Sequence, residues 1–321
     1  MTANTEATLA MVFPGQGSQS VGMLVALAGR YPQVLECFAE AGDVLGYDLW
    51  KLVQEGPAEL LNRTDRTQPA MLAAGVAVWQ VWQSRNAPVP AIMAGHSLGE
   101  YTALVCAGAL EFREAIALVA ERGRCMQAAV PEGAGAMAAI LGLDDAAVAD
   151  VCANAAGNDV VTPVNYNSPG QVVIAGNTNA VQRAIDLARD AGARRAVQLP
   201  VSVPSHCSLM EPAAERFATR LEQVAVRSPQ ITVIQNVDGL PHYQPETIRD
   251  NLRRQLYNPV LWVSSVLHIG KQGVTRIVEA GPGKVLAGLC KRIDKSMTSA
   301  AVYDPDTLDA ALVAQTGNTG E

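Results

Sequence analysis

Along almost the whole chain, short apolar runs bounded by turn residues alternate with longer stretches of helical periodicity, and few folds accept that alternation. Strand, helix and strand in succession build a parallel sheet with helices packed on its faces. The runs TLAMVFPG near residue 8, AIMAG near 91, TVIQNV near 232, TRIVEAG near 275 and AAVYD near 300 are the expected strands. One span breaks the rhythm. Between about 132 and 202, GAMAAILGL, DDAAVADVCANA, VVTPVNYN, QVVIAGN, TNAVQRAIDLARDAG and RRAVQLPV spell strand, helix, strand, strand, helix, strand, the ferredoxin-like order. Ser168-Pro169-Gly170 supplies the hairpin turn between the two middle strands. The expectation is an α/β protein with a large unit made of residues 1–131 and 203–321 and a small βαββαβ unit, 132–202, inserted in it.

Bulk properties narrow the function. With 321 residues, 49% hydrophobic and 17% charged, the chain can bury a large core and is too apolar for disorder. Polar residues interrupt its longest apolar runs, such as MLAAGVAVWQVW, before the roughly 20 residues that a membrane span needs. The N-terminal MTANTEATLAMVF has no basic residue ahead of its apolar run and no cleavage pattern, so the expected location is the cytoplasm, with no membrane association. Six cysteines, at 37, 106, 125, 152, 207 and 290, form no C-x-x-C pair and no zinc spacing, so no metal is expected. A net charge of −7 and 5% aromatic residues argue against nucleic acid as a partner. No permanently bound cofactor is indicated.

The chemistry is concentrated in AIMAGHSLGE, residues 91–100. A G-x-S-x-G sequence between a short strand and a helix places its serine on a tight turn with the hydroxyl exposed, and glycines on either side let the strand reverse into the helix without a Cβ clash. Ser97 is thus a candidate nucleophile, and the Leu98 N–H at the start of the following helix a candidate oxyanion donor. A Gly-Ser turn with no chemistry is the alternative.

A serine nucleophile needs a base, and the chain has four histidines. His96 adjoins Ser97 on a turn where neighbouring side chains diverge, which suits packing or hydrogen bonding beside the elbow. His268 has Ser264, Ser265, Lys271 and Gln272 at helical spacing, the pattern of a solvated face. His242 lies between prolines in GLPHYQP, a surface turn. His206, in PVSVPSHCSLMEPAAERF, stands where a helical pattern begins, and a helix N-terminus would keep its ring neutral and able to accept a proton. His206 is the expected base, with helix capping as its structural alternative.

FPGQGSQ (13–19), GHSLGE (95–100), VNYNSPGQVVIAG (164–176), VPSHCSLM (203–210), QLYNPVLW (255–262) and EAGPGKVL (279–286), taken in order, resemble the bacterial malonyl-CoA:acyl carrier protein transacylases of type II fatty-acid synthesis. The resemblance covers nearly the whole chain. It implies an α/β-hydrolase-like core in which Ser97 and His206 form a dyad, with the main-chain carbonyl of Gln255 orienting the histidine. It also implies that Gln16 supplies a second oxyanion N–H beside that of Leu98, that Asn165 lines the site, and that Arg122 binds the free carboxylate of a malonyl group. Helical spacing separately favours Arg122 over Arg124: Leu118, Val119, Cys125 and Met126 surround the first, whereas Ala120, Glu121, Gln127 and Ala128 surround the second. A buried structural ion pair is the alternative role for Arg122.

What the resemblance implies about function is ping-pong transfer of a malonyl group from malonyl-CoA, a coenzyme A thioester, to acyl carrier protein; a monomer is expected separately. A trans-acting acyltransferase of polyketide synthesis and a serine thioesterase or esterase are the alternatives. A non-catalytic carrier-docking module is a further one. Because the chain is itself acidic, docking of an acidic carrier needs a local basic patch, and KVLAGLCKRIDK (284–295) is the candidate.

Overall fold

The computed structural model describes residues 5–201 and 203–316. Residues 1–4, 202 and 317–321, which fall within the expected division into units, lie outside the described residues. In chain order the elements are β1 (Thr5–Phe13), α1 (Val25–Arg30), α2 (Gln33–Leu45), α3 (Leu49–Glu55), α4 (Ala58–Leu61), α5 (Thr64–Ser84), β2 (Val89–Gly95), α6 (Leu98–Cys106), α7 (Phe112–Gln127), β3 (Gly135–Leu141), α8 (Asp145–Ala156), β4 (Val161–Ser168), β5 (Gln171–Asn177), α9 (Thr178–Asp190), β6 (Arg195–Gln198), α10 (Glu211–Glu222), β7 (Thr232–Ile234), α11 (Pro245–Arg254), α12 (Trp262–Lys271), β8 (Arg276–Ala280), α13 (Val285–Ile293), β9 (Thr298–Val302) and α14 (Pro305–Thr316). A 3-10 turn, Ser208–Met210, precedes α10.

The five apolar runs form one parallel sheet in the order β7-β2-β1-β8-β9. Its middle strand shows why a continuous apolar run, and not an alternating one, marks such a strand. Leu9 to Phe13 are all fully buried, but Leu9, Met11 and Phe13 pack into one core while Ala10 and Val12 pack into another, on the opposite face. The first core is built with α2, α5, α6 and α7, the second with Trp262, Val266 and Ile269 of α12 and Leu286, Leu289 and Cys290 of α13. Helix α5 contains the run MLAAGVAVWQVW and is buried on every side, which removes any need for an amphipathic pattern. Among the described residues, no helix is long and apolar enough to cross a membrane.

The second sheet is antiparallel, in the order β4-β5-β3-β6. One face carries α8 and α9 over a core of its own, in which Ala180, Val181, Ala184, Ile185 and Ala188 repeat at helical spacing. The other face, with Met137, Val164, Val173 and Ala175, packs on Cys207, just before the 3-10 turn. Two main-chain hydrogen bonds tie β4 of this sheet to the segment before α12, Val260 N to Val164 O at 2.8 Å and Tyr166 N to Val260 O at 3.1 Å. The last strand of this segment, β6, is shorter than its apolar run. Leu199 N still reaches Met137 O at 2.8 Å, but Val201 N, the next donor on that side, turns back to Leu199 O at 2.8 Å and ends the ladder.

Candidate active site

Strand β2 ends at Gly95 and α6 begins at Leu98, so Ser97 sits on the turn between them. The glycines earn their place through contact, not through unusual dihedrals. A Cβ on Gly95 would overlap the Gly99 carbonyl, and one on Gly99 would overlap the Phe13 carbonyl of β1. The unusual dihedrals belong to Ser97 itself, at φ 52 and ψ −108. Of the four non-glycine residues with positive φ among the described residues, two are Ser97 and His206 (φ 68), which concentrates backbone strain at this site. Three contacts hold the turn. Ser97 N donates to Asn236 Oδ1 at 2.7 Å, and Ser97 O accepts from Glu100 N and from Gln255 Nε2, both at 3.1 Å.

Ser97 Oγ lies 2.8 Å from His206 Nε2, and His206 Nδ1 lies 2.7 Å from the main-chain oxygen of Gln255. A carbonyl can only accept, so Nδ1 carries the proton and Nε2 presents its lone pair to the serine hydroxyl. The acceptor at Nδ1 is thus an amide carbonyl, where a Ser-His-Asp hydrolase would place a carboxylate. His206 is 3% exposed and precedes the 3-10 turn instead of opening a helix. Its neutrality therefore has another cause than a helix N-terminus. Burial first, and the Arg122 charge second, lower its pKa from 6.5 to about 3.

Arg122, on α7, is 1% exposed. Its Nη1 donates to Gln68 Oε1 and its Nη2 to Gln255 Oε1, both at 2.9 Å, with Nη2 also 3.4 Å from Ser97 Oγ. The guanidinium lies 5.3 Å from the centre of the Tyr101 ring, and its Nε is buried without a partner. So the charge rests on amide oxygens and a ring face, with no carboxylate in direct contact among the described residues. A buried arginine held this way beside a hydroxyl can take an incoming carboxylate.

Ser97, His206, Arg122 and Gln68 line one cavity of about 110 Å³, together with Gln16, His96, Leu98, Asn165 and Val201. The space admits a small acyl group beside the Ser97 hydroxyl. As the first residue of α6, Leu98 has an N–H with no partner in a preceding turn. Asn165 Oδ1 is buried without a partner, and Gln16 Nε2 reaches Thr64 Oγ1 at 3.4 Å. Gln16, Val201 and Val203 also border a wider adjoining cleft of about 450 Å³.

Residues 10–316 match the model of the acyl transferase domain. The chain belongs to the acyl transferase domain family. This acyl transferase is 57% identical over 303 residues to the malonyl CoA-acyl carrier protein transacylase of Escherichia coli strain K12, covering 94% of this chain and 98% of the relative. Its structure is similar to that of an acyl carrier protein S-malonyltransferase from Vibrio cholerae, with a TM-score of 0.92, 58% identity and coverage of 95% and 99%. It is also similar to a malonyl-transacylase in complex with its type II PKS acyl-carrier protein, with a TM-score of 0.94, 56% identity and coverage of 95% and 99%. The pairing of a parallel with an antiparallel sheet matches these solved structures.

The other histidines of this acyl transferase stand apart from the serine hydroxyl. His96 Nε2 pairs with Asn167 Oδ1 at 2.8 Å and its ring packs 5.7 Å from Trp262. His242 bonds Asp238 at 2.7 Å. His268 is half-buried, and Ser265, three residues before it, is fully buried, so that face is less solvated than its polar residues suggest. Arg124 is exposed and pairs with Glu121 at 2.6 Å. Among the described residues, no group of three His, Cys, Asp or Glu side chains converges as a metal site would require. Lys284, Lys291, Arg292 and Lys295 are exposed on and around α13.

Several site residues escaped the sequence reading: Gln68, Glu100, Gln235, Asn236 and Asn251, all buried. Their only signal is a polar residue set in or at the end of an apolar run, as with QN in TVIQNV, and that pattern cannot say which partner the residue meets.

Proposed function

We propose that this chain transfers the malonyl group of malonyl-CoA to the phosphopantetheine thiol of acyl carrier protein, by way of a malonyl ester on Ser97. The observation that carries the reading is the buried Arg122 guanidinium 3.4 Å from the hydroxyl that His206 can deprotonate. His206 Nε2 takes the hydroxyl proton as Oγ bonds the thioester carbon. The N–H groups of Leu98 and Gln16 face the developing oxyanion, and Arg122 holds the distal carboxylate. The carbon–sulfur bond breaks and coenzyme A leaves with the proton from His206. The carrier thiol then gives its proton to His206, attacks the ester and restores Ser97, which makes the reaction ping-pong. A bound carboxylate also offsets the Arg122 charge that depresses His206, so the base strengthens when the correct substrate is present.

In this reading Asn165 lines the acyl site, and the thioester is the substrate with no resident cofactor. Residues 1–131 and 203–321 form an α/β-hydrolase-like catalytic unit, and 132–202 a ferredoxin-like one. The enzyme works as a cytoplasmic monomer feeding fatty-acid elongation. A polyketide carrier is the second reading, favoured by the similarity to a malonyl-transacylase solved with its type II PKS acyl-carrier protein. The experiment is mass spectrometry after mixing with malonyl-CoA, with carrier-bound and free malonate then separated. A malonyl adduct on Ser97 that passes to carrier protein is expected. Absence of the adduct, or normal transfer by Ser97→Ala, would defeat the mechanism, and release as free malonate would make the protein a hydrolase.

A further inference from the structure

Beneath the elbow lies a carboxylate that the mechanism above does not use. Glu100, on α6, is 1% exposed. Its Oε2 accepts from Gln255 Nε2 at 2.8 Å and from Asn236 N at 2.9 Å, and its Oε1 accepts from Gln235 Nε2 at 3.1 Å. The amide of Gln235 is itself fixed, because its oxygen accepts from Asn251 Nδ2 at 2.9 Å. All three partners of Glu100 donate. That is the surrounding of an ionised carboxylate, since a protonated one would aim its O–H at a donor.

Each partner acts on the site. Gln255 bonds Glu100 through its side-chain nitrogen, Arg122 through its side-chain oxygen and His206 through its main-chain oxygen. Asn236 bonds the Ser97 N–H and, through Nδ2, the Gly95 carbonyl at 2.7 Å. We propose that Glu100 is a positioning residue for acyl transfer: as a carboxylate it fixes the Gln255 amide and the Asn236 backbone, and through them the His206 ring, the Arg122 fork and the Ser97 turn. The inference rests on the acyl-transfer reading above.

Burial pushes the Glu100 carboxyl from 4.5 up to about 7, against the pull of its three donors and of Arg122. The charged or titratable groups facing it are Arg122 from α7 and Tyr101 on its own helix, with Arg254 at one remove through Asn251. The remaining contacts, from the segment after β7 and from the end of α11, are amides. In the substrate-free site His206 is held neutral down to about 3, so a loss of rate as pH falls through 7 is assigned to Glu100, and Glu100→Gln separates it from any rise in the His206 pKa when a carboxylate offsets Arg122.

The test compares wild type with Glu100→Gln, which keeps the shape but offers one acceptor oxygen instead of two. The expected result is a kcat for malonyl transfer lower by about tenfold or more, a KM for malonyl-CoA within about threefold, and loss of the pH limb near 7. A limb unchanged in Glu100→Gln, with kcat within about twofold, overturns the proposal. Should that variant fail to fold, NMR of wild-type His206 decides. Its Nδ1–H resonance should shift with a midpoint near 7 while Nε2 stays unprotonated, and a constant resonance overturns the proposal. Absence of any wild-type malonyl-serine would instead defeat the acyl-transfer reading, and the NMR titration would still test the Glu100 linkage.

Discussion

Replacing Arg122 with alanine tests the substrate assignment most directly. The change removes a guanidinium that is 1% exposed and 3.4 Å from the Ser97 hydroxyl. Truncating one partner of a buried, hydrogen-bonded charge pair costs about 2–5 kcal/mol, which is a loss of about 30-fold to several thousandfold in kcat/KM for malonyl-CoA. Acetyl-CoA has no distal carboxylate and loses none of this. It also benefits, because the charge that depresses His206 is gone. The malonyl-to-acetyl ratio should therefore fall by at least about 30-fold. Initial rates with both thioesters and a fixed carrier protein measure that ratio. Gln68 Oε1 and Gln255 Oε1 lose their donors at the same time, at about 1–3 kcal/mol for each orphaned acceptor, so thermal unfolding is followed alongside. If both substrates fall in parallel and the ratio stays within about threefold, the carboxylate role of Arg122 is wrong.

Gly99→Ala should abolish soluble protein or cost several kcal/mol, because its Cβ meets the backbone of β1; Gly288→Ala, on α13 with nothing within 4 Å, should be neutral or gain up to about 1 kcal/mol. Equal denaturation midpoints for the two would contradict the packing argument. His206 stays neutral when folded but binds a proton below 6.5 when unfolded, so it draws stability down as pH falls from 6.5 towards 3. Glu100 has the opposite sign between 4.5 and 7, and it is common to wild type and His206→Gln. The variant should accordingly lose less stability than wild type between pH 6.5 and 4, by an amount on the order of a few kcal/mol, and parallel chemical-denaturation profiles would count against the buried neutral ring. Charge reversal at Lys291 and Arg292 should raise the KM for carrier protein severalfold and leave malonyl-serine formation untouched; unchanged carrier kinetics would dismiss that patch.

The elements were legible because each is set by residues near one another in the chain. Apolar runs of five or so residues gave the strands of the parallel sheet, and the hairpin at Ser168-Pro169-Gly170 joins β4 to β5 as its turn chemistry requires. The elbow was legible for the same reason, since Gly95, Ser97 and Gly99 act within one turn. Choosing Arg122 over Arg124 needed only the spacing of their neighbours, and the structure buries the first and exposes the second. A helix N-terminus does not keep His206 neutral, because no helix starts at the ring; burial beside Arg122 does so instead, and neither is legible from neighbouring residues.

What the sequence determined by itself is therefore the inventory: which segments become strands and helices, where the strained turn lies, and which side chains can do chemistry. Only the tertiary structure decided which of them meet. Gln255 is 49 residues from His206 and 133 from Arg122, and Gln235 and Asn236 are about 135 from Glu100. Periodicity describes the environment a residue will have, buried or exposed, but carries no information about which distant group shares that environment. That choice follows from how the sheets order their strands and how the segments that follow β2, β7 and α11 are brought together.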